Sequence, residues 1–172
     1  MAVLGKYVFT AEHDSVESEE ALQDPLSPKI TLANDFLQLF PSSVGHVLTD
    51  MHFVVRDRMG RLVAFMANAI HRGWTPRGFA ANEKTAVLLS PGTGLARVIG
   101  AGPVFALSYA SNPSVLQQGA PLTWSNITVQ RLEAGDLFNF ESFSALDRFA
   151  LTYTLTVKDG QLSSSTGSIY GK

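Results

Sequence analysis

The chain has 172 residues, of which 45% are hydrophobic and 16% charged, and its formal net charge is −2. This length and composition predict a globular protein with an apolar core, and the charge gives no reason to expect nucleic acid or an acidic membrane as a partner. The absence of cysteine excludes disulfides, thiolate catalysis and Cys-based zinc sites, and no apolar run approaches the roughly 20 residues of a membrane span.

The N-terminal quarter combines an apolar start with a polar connector. Residues 1–9 place apolar side chains at helical spacing, which predicts a helix. The stretch 10–28 is rich in carboxylates and closes on two prolines, which predicts an exposed loop with a short helix at 15–22. Such an acidic cluster is usually a solvated surface, and metal binding is the less common alternative. Residues 30–32 and 35–39 are again apolar or alternating.

Chemistry-bearing residues are densest around His52. Residues 44–48 are apolar and valine-rich, which predicts a buried strand, and the helical spacing that follows predicts a helix of about four turns ending near Gly73. His52 then lies at the carboxyl end of a strand, where open α/β sheets hold their ligands. Three arginines follow it closely: Arg56, Arg58 and Arg61. Their partners are Asp50 or Asp57, or a substrate carboxylate gripped by a guanidinium. On the pattern alone, a solvated helix beside a hydrogen-bonded histidine is the ordinary alternative.

The rest of the chain is strand-rich and punctuated by glycine. Residues 79–89 predict a strand that is interrupted by a polar turn containing Glu83. The Glu83 carboxylate is either solvated or paired, since burying an unpaired carboxylate is costly. Gly100-Ala101-Gly102 lies between two strand patterns, which predicts a hairpin or a bulge rather than a phosphate loop. Further strands are predicted at 127–132 and 151–157. Asp159-Gly160 predicts a hairpin turn, and the serine-rich stretch 163–168 predicts a loose tail.

The residues around His52 also resemble the signature of a known family. The motif is Asp50-x-His52-Phe53-x-x-Arg56-x-Arg58-x-Gly60-Arg61-Leu62. It is similar to that of the cyanophycinases and their relatives, serine exopeptidases with a class I glutamine-amidotransferase-like fold. The resemblance implies that His52 is the general base of a Ser-His-Glu triad. Glu83, within Glu83-x-Thr85-Ala86, would then orient the histidine, while Asp50, Arg56, Arg58 and Arg61 would shape the substrate pocket.

The same resemblance implies a fold and a domain organisation. We expect an α/β protein: the later part of a mostly parallel sheet with flanking helices, followed by β-rich C-terminal hairpins. Residues 1–172 would form a single partial domain, the C-terminal portion, because no serine of the chain lies in the family's Gly-x-Ser-Ala-Gly elbow. The serine would come from a missing N-terminal half, so the chain alone is predicted to be inactive. Bare sheet edges would make such a fragment marginally stable or aggregation-prone.

The implied activity is hydrolysis of β-aspartyl or aspartyl peptide bonds, with a carboxylate-bearing peptide as substrate and no cofactor or metal. Met51 stands where the cyanophycin-degrading enzymes usually carry Gln, a departure that counts against cyanophycin itself. The long connector before His52 is similar to that of the branch of the family that is often secreted. The first residues lack a signal-peptide pattern, so the compartment stays open.

Two other functions stay open. The first is a non-catalytic relative, a pseudoenzyme or binding protein of the same fold that keeps the pocket without the chemistry. The second is a metal-dependent hydrolase built on His46, Asp50 and His52, which the spacing disfavours because two of these residues lie on one strand and the third lies beyond its end. The sequence also leaves open whether the chain forms a homodimer.

Overall fold

The structure, a computed structural model, describes residues 5–34, 46–90, 92–148 and 150–171. Two helices lie within these ranges: α1 (Ser18–Gln23) and α2 (Met59–His71). The strands of the N-terminal half are β1 (Tyr7–Phe9), β2 (Leu32–Asn34), β3 (Val47–Met51), β4 (Arg77–Ala81) and β5 (Thr85–Ser90). Those of the C-terminal half are β6 (Leu95–Gly100), β7 (Val104–Tyr109), β8 (Trp124–Leu132), β9 (Leu137–Asn139), β10 (Ser144–Ala145), β11 (Leu151–Lys158) and β12 (Gln161–Ser164).

The strands form one large and one small sheet. Together with the two helices they make a mixed α/β protein, as the sequence predicts. The large sheet has the order β12-β11-β8-β7-β4-β3-β1-β2, and the small antiparallel sheet has the order β10-β9-β6-β5. Only β1 with β3 and β3 with β4 are parallel pairs in the large sheet. The described sheet is therefore mixed, where the resemblance predicts a mostly parallel one. The reason is that no helix follows β4 in the described ranges to make the crossover that a parallel pair requires.

The large sheet is covered on both faces. Alternate residues of its central strands point to opposite sides, as the period of two requires. Ala80 and Phe105 belong to the apolar core that contains the buried face of α2, whereas Phe79 and Ala106 belong to the core that contains Phe138 of the small sheet. The molecule thus has three layers: helices, large sheet and small sheet. The central strands are apolar on both faces because both faces are buried.

Besides the parallel sheet, three predictions of local structure are wrong in the described residues. Residues 7–9 form β1 rather than part of a helix, because Tyr7, Val8 and Phe9 are strand formers that fit between β2 and β3; residues 1–4 lie outside the described ranges. Residues 163 and 164 belong to β12 rather than to a loose tail, because β11 supplies their backbone partners.

The third wrong prediction is the hairpin or bulge around Gly100. The strands on either side of it belong to different sheets, β6 to the small one and β7 to the large one, so Gly100-Ala101-Gly102 is a crossing point. The predicted hairpin at Asp159-Gly160 is confirmed, and both residues have positive φ, 50° and 75°. The strand predicted at 44–48 appears as β3, and its first residues, 44 and 45, lie outside the described ranges, as do residues 35–39.

Candidate active site

Two neighbouring parallel strands bring His52 and Glu83 together. β3 and β4 are paired in register, with Met51 opposite Ala81 at their carboxyl ends. His52 follows β3 directly, and Glu83 lies two residues beyond β4. Since the carboxyl ends of parallel strands share one edge of the sheet, side chains that are thirty-one positions apart in the chain become neighbours there.

The imidazole and the carboxylate are in hydrogen-bond contact. His52 Nδ1 lies 2.8 Å from Glu83 Oε1, and the two side chains are 40% and 41% exposed. An ionised carboxylate only accepts hydrogen bonds, so this contact favours the tautomer in which Nδ1 carries the proton. Nε2 then presents its lone pair, and it makes no hydrogen bond within the described residues. A half-exposed imidazole arranged in this way can accept a proton from a hydroxyl placed beside Nε2.

The turn that carries Glu83 is clamped by the crossing segment between the two sheets. Ala101 N donates to the Lys84 carbonyl at 2.9 Å, and Gly102 N donates to Thr85 Oγ1 at 2.9 Å. Gly100 has a φ of 113°, and a Cβ there would lie 2.1 Å from the Lys84 carbonyl oxygen. Only glycine permits this approach at residue 100, so the segment that the sequence assigns to a hairpin serves instead to fix the backbone that follows Glu83.

The loop between β3 and α2, residues 52–58 and called the His52 loop below, has an unusual backbone. His52 has a φ of 52° and Asp57 a φ of 45°, which lie in a backbone region that residues other than glycine rarely adopt. Within the loop, Arg56 N donates to the His52 carbonyl at 3.0 Å, and Arg58 N donates to the Phe53 carbonyl at 2.9 Å. The fold imposes this conformation, because such strain persists only where the surroundings hold it.

Asn82 ties the His52 loop to the Glu83 turn. Its side-chain oxygen accepts a hydrogen bond from Val54 N at 3.2 Å, and its own N–H donates to the Pro103 carbonyl at 3.0 Å. The contact with Val54 connects the backbone that follows His52 to the residue that precedes Glu83.

Three of the four predicted substrate residues contact one another beneath the loop. Asp50 Oδ2 and Oδ1 accept hydrogen bonds of 2.6 Å from Arg61 Nε and Nη2, and Arg58 Nη1 lies 3.3 Å from Asp50 Oδ1. The Asp50 and Arg61 side chains are only 5% and 8% exposed. A substrate carboxylate would therefore have to compete with Asp50 for the Arg61 guanidinium. Burial, with Arg61 nearby, lowers the pKa of Arg58, and Asp50 partly offsets this effect.

This network also reaches the backbone before His52. Arg58 Nη1 donates to the Met51 carbonyl at 2.8 Å, and Met51 N donates to Asp50 Oδ1 at 2.8 Å. Both peptide groups that flank Met51 are thus fixed by charged side chains, and charge-assisted hydrogen bonds are the stronger kind. The geometry favours a positioning role for Asp50, Arg58 and Arg61.

Arg56 differs from the other two arginines. It is exposed, and its guanidinium makes no hydrogen bond or ion pair with any residue in the described ranges. Its neighbour Val55 is the most exposed of the large apolar residues that the structure describes, at 62%. Of the predicted basic residues, Arg56 is the one whose guanidinium is available to a carboxylate in solution.

Sequence reasoning missed two residues that hold the start of α2. Ser18 Oγ accepts a hydrogen bond from Arg61 N at 3.1 Å, and the Tyr170 hydroxyl accepts one from Met59 N at 3.3 Å. The helix has no side-chain cap of its own at Arg58, so distant residues satisfy N–H groups that a local cap would otherwise satisfy. The large sequence separations, 43 and 111 residues, explain why no local pattern indicated them.

The metal-dependent alternative gains no support from the described ranges. They contain no group of three or more His, Asp or Glu side chains placed to hold a metal ion. His46 lies elsewhere, with Nδ1 2.9 Å from Thr75 Oγ1 and 3.3 Å from the Tyr7 hydroxyl. No helix in the described part of the chain is long and apolar enough to cross a membrane.

No protein-family model matches this chain, and a comparison with curated proteins finds no match. A function for the chain therefore has to be argued from the motif around His52 and from the geometry of the described residues.

Proposed function

We propose that this chain carries the general-base part of a cyanophycinase-like serine exopeptidase, which hydrolyses β-aspartyl or aspartyl peptide bonds. The observation that carries the proposal is the 2.8 Å contact between His52 Nδ1 and Glu83 Oε1 at the carboxyl ends of two parallel strands. The class I glutamine-amidotransferase-like fold is part of the same proposal. The three neighbouring strands β4, β3 and β1, all parallel, support it.

In this mechanism His52 Nε2 takes the proton from an attacking serine hydroxyl. The oxygen forms a bond to the peptide carbonyl carbon, and the C–N bond breaks as the imidazolium gives its proton to the leaving amine. A water molecule, deprotonated by His52, then hydrolyses the acyl-enzyme and restores the serine hydroxyl. Glu83 holds the ring by its Nδ1–H and stabilises the positive charge that develops on it. Because no serine of the chain lies in a Gly-x-Ser-x-Gly elbow, the nucleophile comes from another polypeptide segment.

The substrate class follows from Arg56. An exposed guanidinium that has no partner among the described residues, four residues after the base, can bind a carboxylate of an aspartyl peptide in bidentate fashion. Arg58 and Arg61 contribute indirectly, because Asp50 already holds them. Arg56 therefore contacts the substrate directly, whereas Asp50, Arg58 and Arg61 support the loop.

The direct test is a titration of the full chain with a β-aspartyl dipeptide, monitored by NMR of the amide and imidazole groups. We expect the chemical-shift changes to cluster on His52, Glu83 and Arg56. Arg56→Ala should weaken binding by about tenfold or more, since a hydrogen bond to a charged group contributes roughly 1.5–3 kcal/mol. Arg97→Ala is the matched control, because Arg97 is an exposed arginine on the small sheet. Equal affinities of the two variants, or shifts that avoid His52, would refute the substrate assignment.

The second test is turnover. The chain alone should not hydrolyse β-aspartyl dipeptides or cyanophycin, because removal of the nucleophile from comparable triads costs on the order of a million-fold in rate. Turnover that disappears when one serine of this chain is changed to alanine would refute an external nucleophile. Peptide binding that never leads to turnover, even with a serine-bearing partner, is the behaviour of the non-catalytic alternative.

A further inference from the structure

The C-terminal segment, residues 165–171, is held firmly against the large sheet. The Tyr153 hydroxyl donates to the Ile169 carbonyl at 2.8 Å, and Arg131 Nη1 donates to the Gly171 carbonyl at 2.9 Å. Gly171 has a φ of 61°, and a Cβ there would lie 2.8 Å from Leu151 Cδ2, so glycine is needed for this close approach. Strands β8 and β11 therefore fix the position of the residue between these two anchors, Tyr170.

Tyr170 contacts both ends of the His52 loop. Its hydroxyl donates to Asp57 Oδ1 at 2.7 Å, accepts from Met59 N at 3.3 Å, and lies 3.4 Å from the Phe53 carbonyl oxygen. Its ring packs edge-on against Phe53 and Phe105, with centroids 6.0 Å and 5.7 Å apart. One side chain thus joins the residue after His52, the strained residue near the end of the loop, and the first turn of α2.

This tie explains how the loop keeps its backbone conformation. His52 and Asp57 both have positive φ, and neither is glycine. The Asp57 carboxylate is held by the Tyr170 hydroxyl, and the Asp57 carbonyl accepts a hydrogen bond from Ser18 Oγ. The loop would otherwise relax toward ordinary φ values, which would turn the His52 ring relative to Glu83.

We propose that Tyr170 is a positioning residue for His52, through which the C-terminal segment holds the imidazole against Glu83. Its meaning for catalysis rests on the proposed function, whereas the geometric claim does not. Tyr170 acts through the loop and does not contact the substrate or the reacting atoms.

The test is Tyr170→Phe in the full chain, which keeps the ring and removes only the hydroxyl. Imidazole ¹⁵N NMR of His52 reports the tautomer and the hydrogen bond from Nδ1. We expect the wild type to show mainly the Nδ1–H form, and Tyr170→Phe to show a mixture with a weakened Nδ1–H signal. Hydrogen exchange at the Met59 amide should become about fivefold faster or more, as for the loss of one ordinary hydrogen bond. Tyr109→Phe is the matched control, because Tyr109 lies at the end of β7 and packs against Trp124 of β8, not against the His52 loop.

Two variants of Asp57 test the same contact from the other side. Asp57→Asn keeps an acceptor oxygen and tolerates positive φ, so His52 should retain its wild-type spectrum. Asp57→Gly tolerates the φ but removes the acceptor, so it should reproduce the change seen in Tyr170→Phe. A wild-type His52 spectrum in Tyr170→Phe would overturn the inference, whatever Asp57→Gly shows.

The outcome is separable from that of the proposed function. If the His52 spectrum changes in Tyr170→Phe while the wild type binds no aspartyl peptide, the positioning inference stands and the peptidase proposal fails. If the wild type binds the peptide and Tyr170→Phe leaves both the His52 spectrum and the affinity unchanged, the positioning inference fails and the peptidase proposal stands.

Discussion

Replacing Asp50 by Asn tests whether the charged network beneath the loop supports the fold. The Asp50 carboxylate accepts two hydrogen bonds of 2.6 Å from Arg61 and one of 2.8 Å from Met51 N, and it lies 3.3 Å from Arg58. An amide of the same size removes the negative charge and points an NH₂ group at donors. Two guanidinium groups, 14% and 8% exposed, then lack their counter-charge. Breaking a buried ion pair from one side costs about 3–5 kcal/mol of unfolding free energy.

The assays are urea unfolding and thermal unfolding at pH 7, monitored by circular dichroism and by tryptophan fluorescence, to which the fully buried Trp124 contributes. For a chain of this size, 1 kcal/mol corresponds to roughly 2–4 °C, so the melting temperature of Asp50→Asn should fall by roughly 6–20 °C. Glu20→Gln is the matched control, because Glu20 pairs with Lys29 in an exposed bridge (44% and 48% exposed) that contributes about 0–1 kcal/mol. If the two variants lose the same small amount, the network is not a structural support. A wild-type stability combined with lost peptide binding would instead favour substrate contact by Asp50.

Three further predictions concern the Gly100 crossing, the pH dependence of stability and the accessibility of His52. Gly100→Ala should destabilise the chain and disturb the Glu83 turn, because its φ is 113° and a Cβ would meet the Lys84 carbonyl, whereas Gly92→Ala, with nothing within 4 Å, should be neutral in the same urea assay. Burial raises the pKa of Tyr153 and Tyr170, so the unfolded chain releases phenolic protons from about pH 10 while the folded chain keeps them. Stability should therefore be constant below that pH and fall above it, and urea midpoints at pH 8 and pH 11 check this. Diethylpyrocarbonate should modify His52 at Nε2 in the wild type, and the corresponding modified peptide should be absent from His52→Gln but present in the control His13→Gln.

The sequence predicted the elements whose pattern is strong and local. The helical spacing over residues 59–70 specified α2, and Gly73, with a φ of 79°, follows its end as expected. The β11–β12 hairpin was predictable because Asp159-Gly160 favours the positive φ that a tight turn needs. The strand Tyr7–Phe9 was not, since short apolar runs fit helix and strand alike and only pairing with β2 and β3 decides between them. The β12 strand was hidden for a similar reason, because serine content says nothing of a partner strand.

The site was predictable where it depends on the chemistry of single residues and on strand order. A histidine after one strand and a glutamate after the next meet if the strands are parallel neighbours, as β3 and β4 are. The roles of the arginines were not predictable, because the sequence does not say which of three arginines within six residues is buried. The structure shows that Arg61 is buried and Arg56 exposed. Tyr170 gave no signal at all, since its contact with Asp57 spans 113 positions of the chain.

The distribution of backbone strain argues for a site rather than a solvated surface pair. Among the described non-glycine residues with positive φ, three bracket the imidazole–carboxylate contact: His52, Asp57 and Lys84. Each costs roughly 1–2 kcal/mol relative to an ordinary conformation. A histidine and a glutamate that merely share a solvated surface need no such cost, because ordinary turns would leave them equally hydrated. Here each strained residue is held by specific contacts: Arg58 on the Met51 carbonyl before His52, Tyr170 on Asp57, and Ala101 on the Lys84 carbonyl. Ala11, Asn126, Phe143 and Asp159 also have positive φ, so the case for a site depends on how the three residues are held and not on their number. Strain that specific contacts restrain is typical of functional sites, and here it lies on both sides of the contact that a general base would need.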